Sequence, residues 1–352
     1  MQQERLQSGP TSWMKKVWKL LCVDMDFFSK VGLNMYRGEI FAYPMFLQKE
    51  FQSATFLAMD VTCRYVPYLT KVSEALTHLQ PLQEMRHCLS VMHAKAHNTK
   101  CEILWTARNQ EGAGTTLGEE VEQVNSFLSR CALTTKYMAK SVRTDMLTVH
   151  AMGWNERKEN GLHIALSSRF KKTVEKTVDV AESLKTMQEQ LHCCDDMLKQ
   201  WVVDVKQWAS SNGVDILTKK KLFDHVMLAS RLKEEKQILV KEMLQHCQYL
   251  KDSVAKVQTL MGTVLVSTQT GSKCLPNGLT EEGSKGLISA LKRRLQDLRL
   301  QQQTIAGTYR CTLKPSNRLV EEEDREMEED MDWQRGNSSD DDDSDEEEDA
   351  EN

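Results

Sequence analysis

Residues 162–208 contain neither glycine nor proline, and no other stretch constrains the fold as much. Leu166, Phe170, Val174, Val178, Ala181, Leu184 and Leu191 recur there every three or four residues, and Leu198, Trp201, Val205 and Trp208 continue the stripe. A helix needs that period to keep its apolar side chains on one face. Ser210-Ser211-Asn212-Gly213 then supplies a helix stop. A second helix is expected over about residues 230–266. Met243, Cys247, Leu250, Val254, Val257, Met261 and Val264 alternate four and three apart there, which is a heptad seam. Residues 271–286 read as a loop. A third helix is expected over about residues 287–305, with Ile288, Leu291, Leu295 and Leu298 on one face. Three amphipathic helices with short connections make a hairpin or bundle, or a coiled coil that pairs with a second copy. The pattern does not choose between them.

The front of the chain reads differently. In Phe41-Ala42-Tyr43-Pro44-Met45-Phe46-Leu47 the proline disfavours a helical Tyr43, so a buried turn or short extended piece is expected ahead of a helix. Ala54-Thr55-Phe56-Leu57-Ala58-Met59 is a short apolar run whose length favours a buried strand. Asp60 follows it, at a place where a strand end would hold a carboxylate rigidly. Residues 67–90 have helical spacing, with Pro81 as a kink or boundary, and Cys101-Glu102-Ile103-Leu104-Trp105 reads as another short strand. Residues 110–118 form a loop with three glycines. Thr116 and Glu119 have the form of a capping box for a helix starting near Leu117. On that helix Val121, Val124, Leu128 and Cys131 share one stripe, while Glu119 and Glu122 fall on the opposite face. Acids at a helix start also serve the macrodipole alone.

Charge is divided unevenly. Residues 321–352 hold 19 acids against 2 bases, leaving 44 bases against 32 acids in the remainder. The acidic tail has too few apolar residues to fold alone. A basic body fits a polyanion such as DNA, although many helical proteins are mildly basic without one. Ten cysteines in irregular positions suit a reducing compartment, as free thiols or metal ligands. The apolar patch at residues 13–23 is interrupted by Lys15, Lys16 and Lys19 and is too short to span a membrane, so a soluble nuclear or cytoplasmic protein is expected.

His93, His97 and Cys101 lie four and four apart, which on one continuous helix would put all three on the same side. They are candidate zinc ligands, with His87, Cys88 and Cys63 as candidates for a fourth. The alternatives are histidines that orient the strand or touch a DNA phosphate, and a plain polar helix face. Asp60-Val61-Thr62-Cys63-Arg64-Tyr65, this cluster, and Gly114-x-x-x-Gly118-Glu119-x-x-Glu122 together resemble the C-terminal half of a transposase of the Kyakuja-Dileera-Zisupton (KDZ) group. The residues from Leu33 to Pro44 and from Met138 to Gly153 add to the resemblance, which extends over roughly residues 30–210.

The resemblance implies an RNase H-like core in which three carboxylates hold two Mg or Mn ions. Asp60 would be the second acid, and Glu119 or Glu122 the third. The family's first aspartate would stand well upstream of Leu33, ahead of a long insertion. Asp24 and Asp26 are too near the next motif to serve. The expectation is therefore a truncated, catalytically incomplete transposase that keeps DNA or partner binding. The other readings are an active DDE-type metal-dependent transposase, and a coiled-coil scaffold in the nucleus or cytoplasm. The resemblance also implies contacts to the DNA phosphate backbone, for which Lys136, Lys140, Arg143, Lys171 and Lys172 are candidates. Lys219-Lys220-Lys221 and Lys292-Arg293-Arg294 are further basic clusters and candidate nuclear-import signals.

The expected fold class is α/β plus α. Residues 1–22 are unassigned, residues 23–160 form a partial RNase H-like core with a helical insertion, and residues 161–320 form long amphipathic helices in a bundle or coiled coil. A disordered acidic tail occupies residues 321–352. Partners would be DNA and, through the coiled coil, a second copy of the chain, with no membrane.

Overall fold

The computed structural model describes residues 40–51, 54–115, 120–210, 217–269 and 280–314. The expectations for residues 1–39, for the capping box at residues 116–119 and for the acidic tail lie outside them. The chain divides into two compact units, Met1–Glu242 and Met243–Asn352. The described residues are mostly helical, with one small parallel sheet.

The first unit opens on α1 (Ala42–Glu50), which already includes Tyr43 and Pro44. The expected turn is absorbed into the helix because Pro44 sits in its first turn, where an N–H has no intrahelical partner to lose. β1 (Phe56–Ala58) follows within the apolar run. Next come α2 (Thr62–Ala75), a 3₁₀ turn at Thr77–Gln83 that contains Pro81, and β2 (Arg86–Cys88). Residues 67–90 are thus not one helix: the helix ends at Ala75 and His87 lies in a strand. β1 and β2 are parallel, with Leu57 opposite His87. A parallel pair cannot be closed by a tight turn, so α2 and the 3₁₀ turn form its crossover. Their inner faces bury Leu47, Leu57, Met59, Tyr65, Leu69, Leu79, Leu82 and Met85 in one cluster.

A second crossover follows the same logic. α3 (Val91–Ala96) and α4 (Thr99–Trp105) bring the chain back so that Thr106 pairs with Leu89 in a single parallel bridge. The strand expected at residues 101–105 is therefore helix, and the extended contact falls one residue later. Asn98 decides this. Its Oδ1 accepts a hydrogen bond from the Cys101 N–H at 2.8 Å and starts the helix, which a five-residue apolar run could not announce.

Beyond the sheet lie α5 (Glu120–Ser129), α6 (Ala132–Thr135), α7 (Lys140–Leu191), α8 (Asp195–Ser210) and α9 (Leu217–Gln269). The stripe over residues 162–208 is thus two helices. The break is a Schellman motif with His192 at φ 49°: the Cys193 N–H donates to the Gln188 carbonyl at 3.1 Å, and that of His192 to the Glu189 carbonyl at 3.3 Å. No glycine marks it, and Cys193 is instead held by packing with Leu184, Leu198, Leu222 and Trp201. α8 ends at Ser210, where the stop was expected.

The second unit contains the end of α9 and α10 (Glu281–Leu313). α10 starts before residue 287 because Thr280 caps it, accepting from the Gly283 N–H at 3.1 Å. Met243, Cys247, Leu250 and Val264 of the heptad seam are buried, as are Leu295, Leu298, Ile305 and Tyr309 of α10. The Tyr309 hydroxyl lies 2.7 Å from His246 Nδ1, a buried polar contact that ties the two helices. None of the helices described is long and apolar enough to cross a membrane.

Candidate metal centre

The carboxyl ends of parallel strands are where such sheets place ligand-binding groups, and the reactive side chains of the first unit gather at this end. Thr62 fixes the local geometry: its Oγ1 lies 2.7 Å from the Cys88 carbonyl and 3.1 Å from the Met59 carbonyl. The Met59 N–H donates to the same Cys88 carbonyl at 2.9 Å. Asp60 is thereby held just past β1, and Cys63 in the first turn of α2. Pro67 stands four residues after Cys63 and cannot donate to its carbonyl, which loosens the helix at that turn.

α3 ends at Ala96, and His97 takes an extended backbone at φ −89° and ψ 175°. This break separates two histidines that one continuous helix would have placed on the same side. His93 Nδ1 lies 2.7 Å from Ser90 Oγ and 3.4 Å from Asp60 Oδ1. His97 Nδ1 lies 3.6 Å from Cys63 Sγ. The ligand atoms of Cys63, His97 and Cys101 all fall within 4.8 Å of one another. Of the trio His93, His97 and Cys101, the structure gathers His97 and Cys101 with Cys63. Cys63, one of the candidates for a fourth position, takes the place of His93, and His93 partners the acid. His87 is occupied elsewhere, its Nε2 lying 3.2 Å from the Gln48 amide nitrogen, and Cys88 is buried in the sheet.

The chemistry of the trio is that of soft and borderline donors. Burial, followed by the neighbouring Cys63 thiol, pushes the Cys101 thiol above its ordinary range. All three side chains are half-buried, so solvent reaches the cluster. Among the described residues no other group of three or more histidine, cysteine or acidic side chains gathers in this way. Glu119 lies outside the described residues, as does the Glu122 side chain.

The glycine loop is positioned by a feature that sequence reasoning missed. Gly112 and Gly114 have φ of 78° and 54°. The Gly112 N–H donates to Glu234 Oε2 at 2.8 Å, and the Thr115 N–H to Glu235 Oε2 at 2.8 Å. Arg231 donates to Glu234 and to the Gln110 carbonyl, each at 2.5 Å, and Arg86 donates to the Glu111 carbonyl. Glu235 is fully buried and is neutralised by Arg169 at 2.5 Å. Burial lowers the pKa of Arg231, against the opposing pull of Glu234. The available signal was a polar residue on an apolar seam, since Glu235 falls between the buried Leu232 and Leu239.

The candidate DNA contacts are spread along α7 and the turn before it. Lys136, Lys140, Lys171 and Lys172 are exposed and Arg143 is half-buried. Lys136 lies over the Tyr137 ring at 5.2 Å. Arg169 is committed to Glu235, Lys219 to Asp204, and Lys220 to Glu102 and Asp224.

No curated protein and no solved structure matches the chain. Residues 17–155 match the family model described as the Kyakuja-Dileera-Zisupton transposase, a range that begins ahead of the expected one and ends before residue 210. Asp60, His93, Cys63, His97, Cys101 and the glycine loop all lie inside the matched range, and over that range the chain is similar to the KDZ transposase family.

Proposed function

We propose that this is a transposase-derived DNA-binding protein in which the transposase domain serves as a binding platform and does not cut strands. The family match carries the reading. The exposed cations at Lys136, Lys140, Lys171 and Lys172 support it, because phosphate contacts supply most non-specific affinity for DNA. An RNase H-like core is the finer reading of the front unit. The parallel β1–β2 pair, the bridge at Thr106 and an acid at the first strand's carboxyl end support it.

Catalysis of the DDE type would need a second hard oxygen ligand beside Asp60 to share a Mg or Mn ion. Glu119 or Glu122 would supply it. The described neighbour of Asp60 is instead the His93 imidazole, at 3.4 Å. Among the described residues the ion-pair partner of Asp60 is thus a nitrogen donor and not a hard oxygen ligand.

The test is fluorescence anisotropy of the purified chain on duplex DNA at several salt concentrations, with a nicking assay in Mg or Mn alongside. Affinity should fall steeply with salt, and Lys171→Ala with Lys172→Ala should flatten the slope by about two. A flat curve at low salt sinks the binding reading. Metal-dependent nicking that Asp60→Ala abolishes would replace it with the enzyme reading.

A nuclear location belongs to the same proposal. Lys219 and Lys220 are spent on ion pairs, so the exposed Lys292-Arg293-Arg294 run on α10 is the better import candidate. Neutralising that run should leave a tagged chain in the cytoplasm, and nuclear retention would reject its role. A homo-oligomer remains the second reading, favoured by the exposed Leu260, Val266 and Leu300 on the helices of the second unit. Sedimentation of the chain as a monomer at all concentrations would reject it.

A further inference from the structure

We propose that Cys63, His97 and Cys101 form a zinc site that ties the first turn of α2 to the junction between α3 and α4. The site goes beyond the DNA-binding reading and does not depend on it.

Three observations carry the assignment. The first is convergence. The ligands come from three places: the start of one helix, the extended residue that ends a second, and the first turn of a third. Nothing in the packing of apolar side chains requires two thiols and an imidazole to meet, yet their donor atoms lie within 4.8 Å of one another. A tetrahedral ion about 2.0–2.3 Å from each needs donors roughly 3.5–3.8 Å apart; Cys63 Sγ and His97 Nδ1 already stand at 3.6 Å, and the trio as a whole has to close only slightly.

The second is donor chemistry. Two sulfurs and one nitrogen suit zinc and exclude Mg and Ca, which take oxygen ligands. The third is local preorganisation. The Asn98 cap fixes where α4 begins and so where Cys101 points. The break after Ala96 turns His97 away from His93, which has its own partners in Ser90 and Asp60. His93 is therefore not a ligand, although its spacing in sequence is as good as that of Cys101.

The fourth position would be taken by water or an exchangeable ligand, since the cluster is half open to solvent. Zinc binding releases the thiol protons, because the ligand form of cysteine is the thiolate. The ion would brace the backbone next to Asp60, three residues before Cys63, and hold the acid and His93 in register.

The experiment uses the full chain, purified under reducing conditions. Metal content is measured by mass spectrometry, and the stripped chain is titrated with Co(II) as a spectroscopic stand-in for zinc. About one zinc per chain is expected. The cobalt form should show intense tetrahedral bands and a thiolate-to-cobalt charge-transfer band sized for two sulfurs. That spectrum identifies the ligand types in the unmodified chain, so the result does not hang on any variant folding. Cys63→Ser, His97→Ala and Cys101→Ser should each weaken zinc by at least the ~10–100-fold that loss of a supporting partner costs at known sites. His93→Ala and Cys194→Ser should leave affinity unchanged. The proposal is overturned by a cobalt spectrum without the sulfur band, by a Cys63–Cys101 disulfide under these conditions, or by loss of zinc in His93→Ala equal to that in His97→Ala.

Discussion

Two polar constellations of the first unit invite comparison. At the carboxyl ends of β1 and β2, Asp60, His93, Cys63, His97 and Cys101 are half-buried or exposed. At the glycine loop, Glu235 and Arg231 are buried and locked, while their partners Arg169 and Glu234 reach solvent. Both use charged groups on backbone turns. The first leaves donor atoms pointing at one another with room for an ion. The second fills its acceptors with backbone N–H groups and guanidinium. A buried carboxylate survives only if its lone pairs are satisfied, so the second set is architecture. The first can afford open valences because water reaches it.

The sharpest way to break this contrast is Glu235→Ala. It leaves the Thr115 N–H and Arg169 without their acceptor inside a packed seam. Removing one member of a fully buried ion pair costs about 3–5 kcal/mol, and the loss here should fall toward the lower end because the Arg169 side chain is 43% exposed and can turn to water. Urea unfolding should show that loss. A change of less than about 1 kcal/mol would mean that water replaces the carboxylate and that the clamp is not structural.

Acid should reach the core through a different group. Burial pushes the pKa of His87 down to about 4, below its ordinary value of 6.5. A folded-state pKa below the unfolded one favours the neutral form, so the contribution is complete above pH 6.5. It fades as pH falls from there through 4. The cost on acidification is up to about 3 kcal/mol. His87→Leu should flatten stability against pH across this window while Gln48 keeps its bonds to Tyr65 and Leu82. An unchanged pH profile would place the acid sensitivity elsewhere.

Gly114→Ala probes the clamp from the loop side. The residue has φ of 54°, and a Cβ there would lie 2.4 Å from Glu235 Oε2. Left-handed backbone strain costs a non-glycine residue about 1–3 kcal/mol. Gly153→Ala lies inside a helix with open space around it and should be neutral or stabilising. Equal thermal shifts for the two would show that the loop relaxes at no cost.

The sequence made some of this legible, and physics explains the division. The apolar run before Asp60 was readable because a short buried strand needs only its own residues, and the long helices were readable because 3.6-residue periodicity is local. What escaped was set by contacts distant in sequence. The helix break at His192 has no glycine and is held by the Cys193 packing. The exchange of His93 for Cys63 depends on α3 ending at Ala96, a boundary fixed by the crossover back to Thr106. The Glu234–Glu235 clamp joins residues about 120 positions apart, which no local pattern encodes.

The smallest effect on stability should come from the residue the whole front unit presents. Asp60 has a side chain 59% exposed and pairs with His93 at 3.4 Å. An exposed pair at that distance is screened, and surface substitutions fall within about 0.5 kcal/mol. Asp60→Asn keeps the shape and removes the charge, so thermal and urea midpoints should stay within error of the parent chain. This near-silence has content. A large loss of stability would mean that the carboxylate braces the strand end, as Glu235 braces the loop, and the contrast between the two constellations would dissolve. No loss, with zinc content intact, would show that the acid stands beside the thiol cluster as a surface group whose charge the fold does not need.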